Sequence, residues 1–197
     1  DNYAQIINNT GNIILTGGII SSPNSYVYGI YNEGTGNVTI NGGTIDTNSY
    51  GIENTQNGTV KMISGTIKTS SYAISNETSG LVEISGGTIN GLSGIINKAE
   101  GTVRINDGTI EVSGYDSRLI TNEGTGKIEI IDGTVKTYGR YSRGIENNST
   151  GEVIIQGGTV GEYPNTNMGS NEKTIVNKAG TLKITGGTIE VGESGDN

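Results

Sequence analysis

Cysteine, histidine, tryptophan and phenylalanine are absent from the chain, and proline occurs only twice in 197 residues. Without cysteine there is no disulfide framework and no thiolate metal site. Without histidine or cysteine, the usual nucleophile–base pairs of covalent catalysis have no members. Positive charge is scarce: 12 Lys and Arg face 20 Asp and Glu, giving a net charge of −8. That balance argues against nucleic acid, whose phosphates require a basic footprint. No apolar run approaches the ~18 residues of a membrane span, so no direct membrane insertion is expected. Hydrophobic residues make up 31% of the chain, a low share that in isolation would suggest disorder.

The residues that are present argue otherwise. Glycine occurs 34 times, set among regularly placed Ile, Val and Thr, the signature of strands punctuated by turns. Three stretches repeat at a period of 22, starting at Tyr28, Tyr50 and Tyr72. With a loop of variable length before each copy, the chain aligns as eight copies. One column is Ile throughout: Ile6, Ile30, Ile52, Ile74, Ile95, Ile120, Ile145 and Ile175. Two residues on stands Asn8, Asn32, Asn54, Asn76, Asn97, Asn122, Asn147 and Asn177. Two apolar columns follow a first glycine column, beginning with Ile13 and Leu15. A second glycine column begins with Gly18 and precedes a last apolar column begun by Ile20.

Each copy therefore holds three short strands with alternating apolar positions, so one face of each strand points inward. Helix is excluded by the glycine density and the period of two. The expected fold is all-β: a single right-handed parallel β-helix, or β-solenoid, of about eight three-strand coils, forming one domain over residues 1–197. Coils stacked ~4.8 Å apart bury the apolar face that one coil cannot bury alone, and parallel crossovers are right-handed by strong preference. The invariant Asn reads as a structural ladder of amide hydrogen bonds. Outward positions alternate in sign, as in Lys61, Glu83, Arg104, Glu129 and in Glu77, Lys98, Glu123, which pairs opposite charges across coils. An outward Thr column from Thr44 to Thr188 is interrupted by charged neighbours such as Asp46, Lys68 and Glu111, unlike the flat Thr rows of ice-binding solenoids.

Insertions in a solenoid map to loops on one face. Nearly all the length variation precedes the Ile–x–Asn strand, in the segments Ser21–Tyr28, Val112–Arg118, Thr137–Arg143 and Gly161–Lys173. The same edge collects Tyr26, Tyr28, Tyr50, Tyr72, Tyr115, Tyr138, Tyr141 and Tyr163. Tyr28, Tyr50 and Tyr72 read either as a ring ladder covering the edge or as part of a binding surface. The cluster Tyr115, Asp116, Arg118, Tyr138, Arg140, Tyr141 and Arg143 is the candidate ligand site, because Tyr and Arg combine rigid amphipathic area with directed hydrogen bonds. No metal, cofactor or catalytic residue is expected. Polysaccharide-cleaving β-helices need grouped carboxylates, and the six Asp offer only Asp107 and Asp132 as a pair. Both replace the first glycine of a Gly-Gly-Thr turn, where Asp tolerates an unusual backbone.

The units GIYNEGTGNVTINGGTI and GIENTQNGTVKMISGTI resemble repeats of large bacterial surface proteins, the pectate-lyase-like adhesive domains. The resemblance covers essentially the whole chain. It implies an extracellular, cell-surface adhesin or stalk that meets a glycan or host protein, and it transfers no functional residues. A structural spacer or an end-to-end fibre subunit is the alternative, and a polysaccharide-degrading enzyme the third reading.

Overall fold

The computed structural model describes residues 3–162 and 173–191. Tyr163, most of the fourth variable loop and the acidic tail lie outside the described residues. Among those described, every regular element is a β-strand and the strands pair in parallel, coil upon coil. The molecule is a β-solenoid of about seven turns, eight first-strand segments deep.

Three faces wrap the core. The first comprises Ala4–Asn9, Val27–Asn32, Tyr50–Asn54, Arg118–Asn122, Arg143–Asn147 and Lys173–Asn177, with the C-terminal ends of the long strands Thr59–Asn76 and Leu81–Asn97. The second face begins at Ile13–Leu15 and the third at Ile19–Ser22. Register follows the repeat: Ile30 pairs with Ile52, Ile52 with Ile74, and so on to Ile175. In the coil opening at Tyr28, Ile30, Val38, Ile40 and Ile45 are fully buried, and their equivalents above and below form one continuous core. Among the described residues the last coil is covered on one side only, so Ile184 and Ile189, in register with the fully buried Ile155 and Val160, are 50% and 38% exposed.

The two glycine columns have different causes. In the second column, φ is positive from Gly18 (79°) through Gly43, Gly65, Gly87, Gly108, Gly133 and Gly158 to Gly187 (84°), a conformation that costs glycine little. In the first column, from Gly36 to Gly151, the constraint is space. A Cβ on Gly126 would meet the Gly101 carbonyl and the Asn97 amide.

That amide belongs to the ladder. Asn32 Nδ2 donates to Asn54 Oδ1 at 2.8 Å, and the chain of bonds continues through Asn76, Asn97, Asn122 and Asn147 to Asn177. Each interior amide also donates to a glycine carbonyl of its own turn, as Asn97 does to Gly101 at 2.8 Å. Both amide protons and the carbonyl oxygen are thus satisfied at sites with essentially no solvent.

The first rung corrects the alignment. Asn9, not Asn8, donates to Asn32 at 2.6 Å, and Ile7, not Ile6, pairs with Ile30. Ile6 is 41% exposed. The turn after Asn9 is shorter than in later coils: Asn9 reaches Gly11, two residues on, whereas Asn32 reaches Gly36, four residues on. Length variation is therefore not confined to the loops before the first face. Because side chains alternate along a strand, a one-residue slip exchanges the two faces.

Candidate functional site

The loops entering the first face fall into two lengths. After Thr47, Thr69 and Gly91 the chain regains the first face within three residues, at Tyr50, Tyr72 and Ser93. After Ser22, Val112 and Thr137, five residues intervene before Tyr28, Arg118 and Arg143. Each five-residue loop places a non-glycine residue at positive φ two positions before Tyr28, Arg118 or Arg143: Tyr26 at 61°, Asp116 at 54° and Tyr141 at 59°. A bulky side chain is a genuine outlier there. The loops are pinned to one another, with Asp116 N–H donating to Arg140 O at 3.0 Å and Arg143 N–H to Ser117 O at 2.9 Å.

One outward column runs the length of the first face. It reads Tyr28, Tyr50, Tyr72, Ser93, Arg118, Arg143, Lys173. The tyrosines stack, with Tyr28–Tyr50 ring centroids 5.2 Å apart and Tyr50–Tyr72 6.4 Å apart, and Tyr3 and Tyr31 pack against Tyr28. This is the covering ladder that the repeat suggested. The small Ser93 sits between the two chemistries; burial raises the Tyr72 hydroxyl, and the Arg118 charge from beyond Ser93 partly offsets it.

A second outward column carries two glutamates, the half-buried Glu53 and the fully enclosed Glu146. Their environments differ. Burial pushes the Glu53 carboxyl up, and the Tyr28 hydrogen bond only partly opposes it. Burial first, and then this contact with Glu53, also raise the Tyr28 hydroxyl. Burial would raise Glu146 too, but Lys178, Arg143 and Arg118 outweigh it and hold the carboxyl below the usual range. Lys178 Nζ lies 2.9 Å from Glu146 Oε1, while Arg143 and Arg118 lie 3.6 and 3.8 Å from Oε2.

Above Glu146 the loops open an exposed cleft of about 440 Å³ lined by Tyr115, Asp116, Tyr141, Arg143 and Lys173. Tyr115 is 71% exposed and meets Tyr141 edge to face, at 5.1 Å. Arg140 stacks on the other aromatic partner, its guanidinium 5.1 Å from the Tyr141 ring. Asp116 stands 3.9 Å from both Arg118 and Arg143.

The structure thus brings Tyr115, Asp116, Tyr141 and Arg143 of the predicted cluster to one cleft. Arg140 buttresses it and Arg118 lies beneath it. Tyr138 points elsewhere, its hydroxyl donating to Glu111 at 3.2 Å. Sequence reasoning missed Lys173, Glu146 and Lys178. Lys173 was traceable, since it holds the column position of Arg118 and Arg143. Glu146 and Lys178 meet only through coil stacking.

Other charges behave as the pattern suggested. Lys61 pairs with Glu83 at 3.0 Å, Arg104 with Glu129 at 2.7 Å and Lys98 with Glu77 at 2.7 Å. Asp107 and Asp132 each accept the N–H of the following glycine, at 2.7 and 2.8 Å, as the turn reading requires. No family model, curated protein or solved structure matches the chain.

Proposed function

We propose that this chain is a non-enzymatic segment of an extracellular bacterial adhesin or stalk, which holds the Tyr/Arg loop edge outward for a glycan or host protein. One observation carries the reading. Three arginines and a lysine, Arg118, Arg140, Arg143 and Lys173, gather with exposed Tyr115 on one edge of a rod whose net charge is −8. Folding explains the Asn ladder, the Ile columns and the turn glycines. It does not call for a cationic, aromatic edge built on strained loops, and irregular loops on a rigid scaffold are where binding residues concentrate. Asp107 and Asp132 each give one carboxylate oxygen to the N–H of their own turn, a structural role that is enough to explain the pair.

The test is an array of glycans and extracellular-matrix proteins, probed with the chain and with a variant in which Tyr115, Arg118, Tyr141 and Arg143 are all Ala. Binding that disappears in the variant is the expected result. Equal binding by both proteins would move the adhesive surface away from this edge. Silence from both would favour the second reading, a spacer or end-to-end fibre subunit. Its supporting observation is the apolar surface at the end of the rod, where the inward Ile184 and Ile189 would be covered by another coil.

A further inference from the structure

The cleft is more specific than a basic patch. Its cations are only partly committed. Arg143 and Arg118 stand 3.6–3.9 Å from Asp116 and Glu146, beyond the 2.7–2.9 Å of a charge-assisted hydrogen bond, so these carboxylates neutralise the guanidiniums without drawing up to their N–H groups. Lys173 extends the row by one more coil on the exposed rim. The excess of positive charge points to an anionic ligand. Asp116 on the same wall points to more than an anion: a fixed carboxylate acceptor repels a ligand that is negative throughout and suits one that also offers hydroxyl donors. Tyr115 and Tyr141, set edge to face, add a rigid apolar wall beside the charges.

A related loop shows that backbone geometry alone does not dictate these residues. The five-residue loop containing Tyr26 repeats the positive-φ step of Tyr141. The hollow beside it, about 300 Å³, is lined by Ser21, Ser22, Pro23, Asp46 and Asn48, without a cation or an aromatic ring.

Resting on the loop-edge reading above, we infer that the cleft between Tyr115, Asp116, Tyr141, Arg143 and Lys173 binds a carboxylated sugar. The carboxylate lies on Arg143 and Lys173, a ring hydroxyl donates to Asp116, and the ring's C–H face packs on Tyr115. The volume of about 440 Å³ falls within the range of small-ligand sites. An in-chain uronic acid and a terminal sialic acid share this chemistry.

The test is titration of the chain, by calorimetry and by NMR, with a uronic-acid oligosaccharide, a sialylated oligosaccharide, a carboxyl-reduced version of the first, and an oligo-glutamate peptide. We expect one of the two carboxylated sugars to bind, which identifies the source. The carboxyl-reduced sugar should bind at least about tenfold more weakly. The double variant Arg143→Gln/Lys173→Gln should lose at least about tenfold, whereas Lys61→Gln, far from the cleft, should lose nothing. Thermal melting of each variant separates lost binding from lost folding. Equal affinity for the carboxyl-reduced sugar, or undiminished affinity in a folded double variant, would overturn the inference while leaving adhesion through the loop edge intact. Oligo-glutamate binding as tightly as the sugars would overturn it in favour of an acidic-protein partner. Failure of both acidic sugars, beside an array on which the edge still captures another ligand, would overturn the sugar assignment alone.

Discussion

The two halves of the first face share one backbone and differ in what their outward columns carry. From Tyr28 to Tyr72 the column is aromatic, entered by a short corner at Tyr50 and Tyr72, and its glutamate, Glu53, is raised by burial that the Tyr28 hydroxyl only partly opposes. From Arg118 to Lys173 the column is cationic, approached at Arg118 and Arg143 through five-residue loops, and its glutamate, Glu146, is surrounded by Arg118, Arg143 and Lys178. The comparison separates what the solenoid needs from what it tolerates. The inward Ile and Asn are identical in both halves, so the scaffold does not sense the change outside. The aromatic half closes on itself, ring on ring. The cationic half leaves a cleft.

If the halves differ only outside, breaking the inner ladder must cost the same in each. Asn54→Leu strands the Asn32 amide, the Asn76 carbonyl and the Gly58 carbonyl. Asn122→Leu strands the equivalent groups of Asn97, Asn147 and Gly126. With several buried polar groups left unpaired, each variant should lose about 3–5 kcal/mol. Denaturant unfolding of both variants checks this. A difference of more than about 1 kcal/mol between them would show that the outer columns do contribute to the scaffold.

The glutamates sharpen the contrast, because the same substitution should have opposite signs. Glu146→Gln leaves three cations around a neutral side chain and should cost about 2–3 kcal/mol at neutral pH. Glu53→Gln removes the charge of a half-buried carboxyl that burial already disfavours, and should stabilise by less than about 1 kcal/mol. The pH dependence separates them further. Glu146 has a folded-state value below its unfolded one. Its contribution is complete above the unfolded value of ~4.3 and is lost as pH falls through the folded value. Glu53 is raised, so its effect runs the other way, and stability declines as pH rises from ~4.3 through the folded value. Melting curves between acid and neutral pH should therefore lose their acid-side slope in Glu146→Gln and part of their decline toward neutrality in Glu53→Gln.

Much of this was legible in the sequence because a solenoid writes its contacts as columns. Ile30, Asn32, Val38 and Ile40 recur in the next coil at the spacing that stacks them, so core and ladder follow from alignment alone. The first coil misled for a local reason. Its segment Ile6-Ile7-Asn8-Asn9 offers two equivalent registers, and only the shortened turn to Gly11 selects the second. The candidate site was half legible. Tyr115, Asp116, Tyr141 and Arg143 share their cleft because the loops that carry them share an edge. Glu146 was missed because it sits in an ordinary strand beside the invariant Asn147, and its burial depends on cations from three different coils. Tyr138 was included because it shares a loop with Tyr141, but it begins that loop and hydrogen-bonds Glu111 on the preceding coil.

The smallest effect tests whether the loop strain serves the cleft. Tyr26 and Tyr141 occupy the same position in five-residue loops of the aromatic and cationic halves, at φ 61° and 59°. Glycine adopts that conformation without strain, so replacing either tyrosine should recover up to about 1 kcal/mol from the backbone. The recovery is offset in part by the packing that each ring makes, Tyr26 on Tyr3 and Tyr141 on Tyr115. Stability should thus change little and similarly in Tyr26→Gly and Tyr141→Gly. Binding should not. Tyr141→Gly removes a wall of the cleft and the platform of Arg140, whereas Tyr26→Gly leaves both in place. A parallel measurement of melting temperature and ligand titration on the two variants therefore reads the strain and the function separately. Loss of binding confined to Tyr141→Gly would mean that a residue unfavourable to its own backbone is kept there for what its ring meets outside the fold. Equal binding in both would reduce Tyr141 to the covering role that Tyr28 and Tyr50 play in the other half.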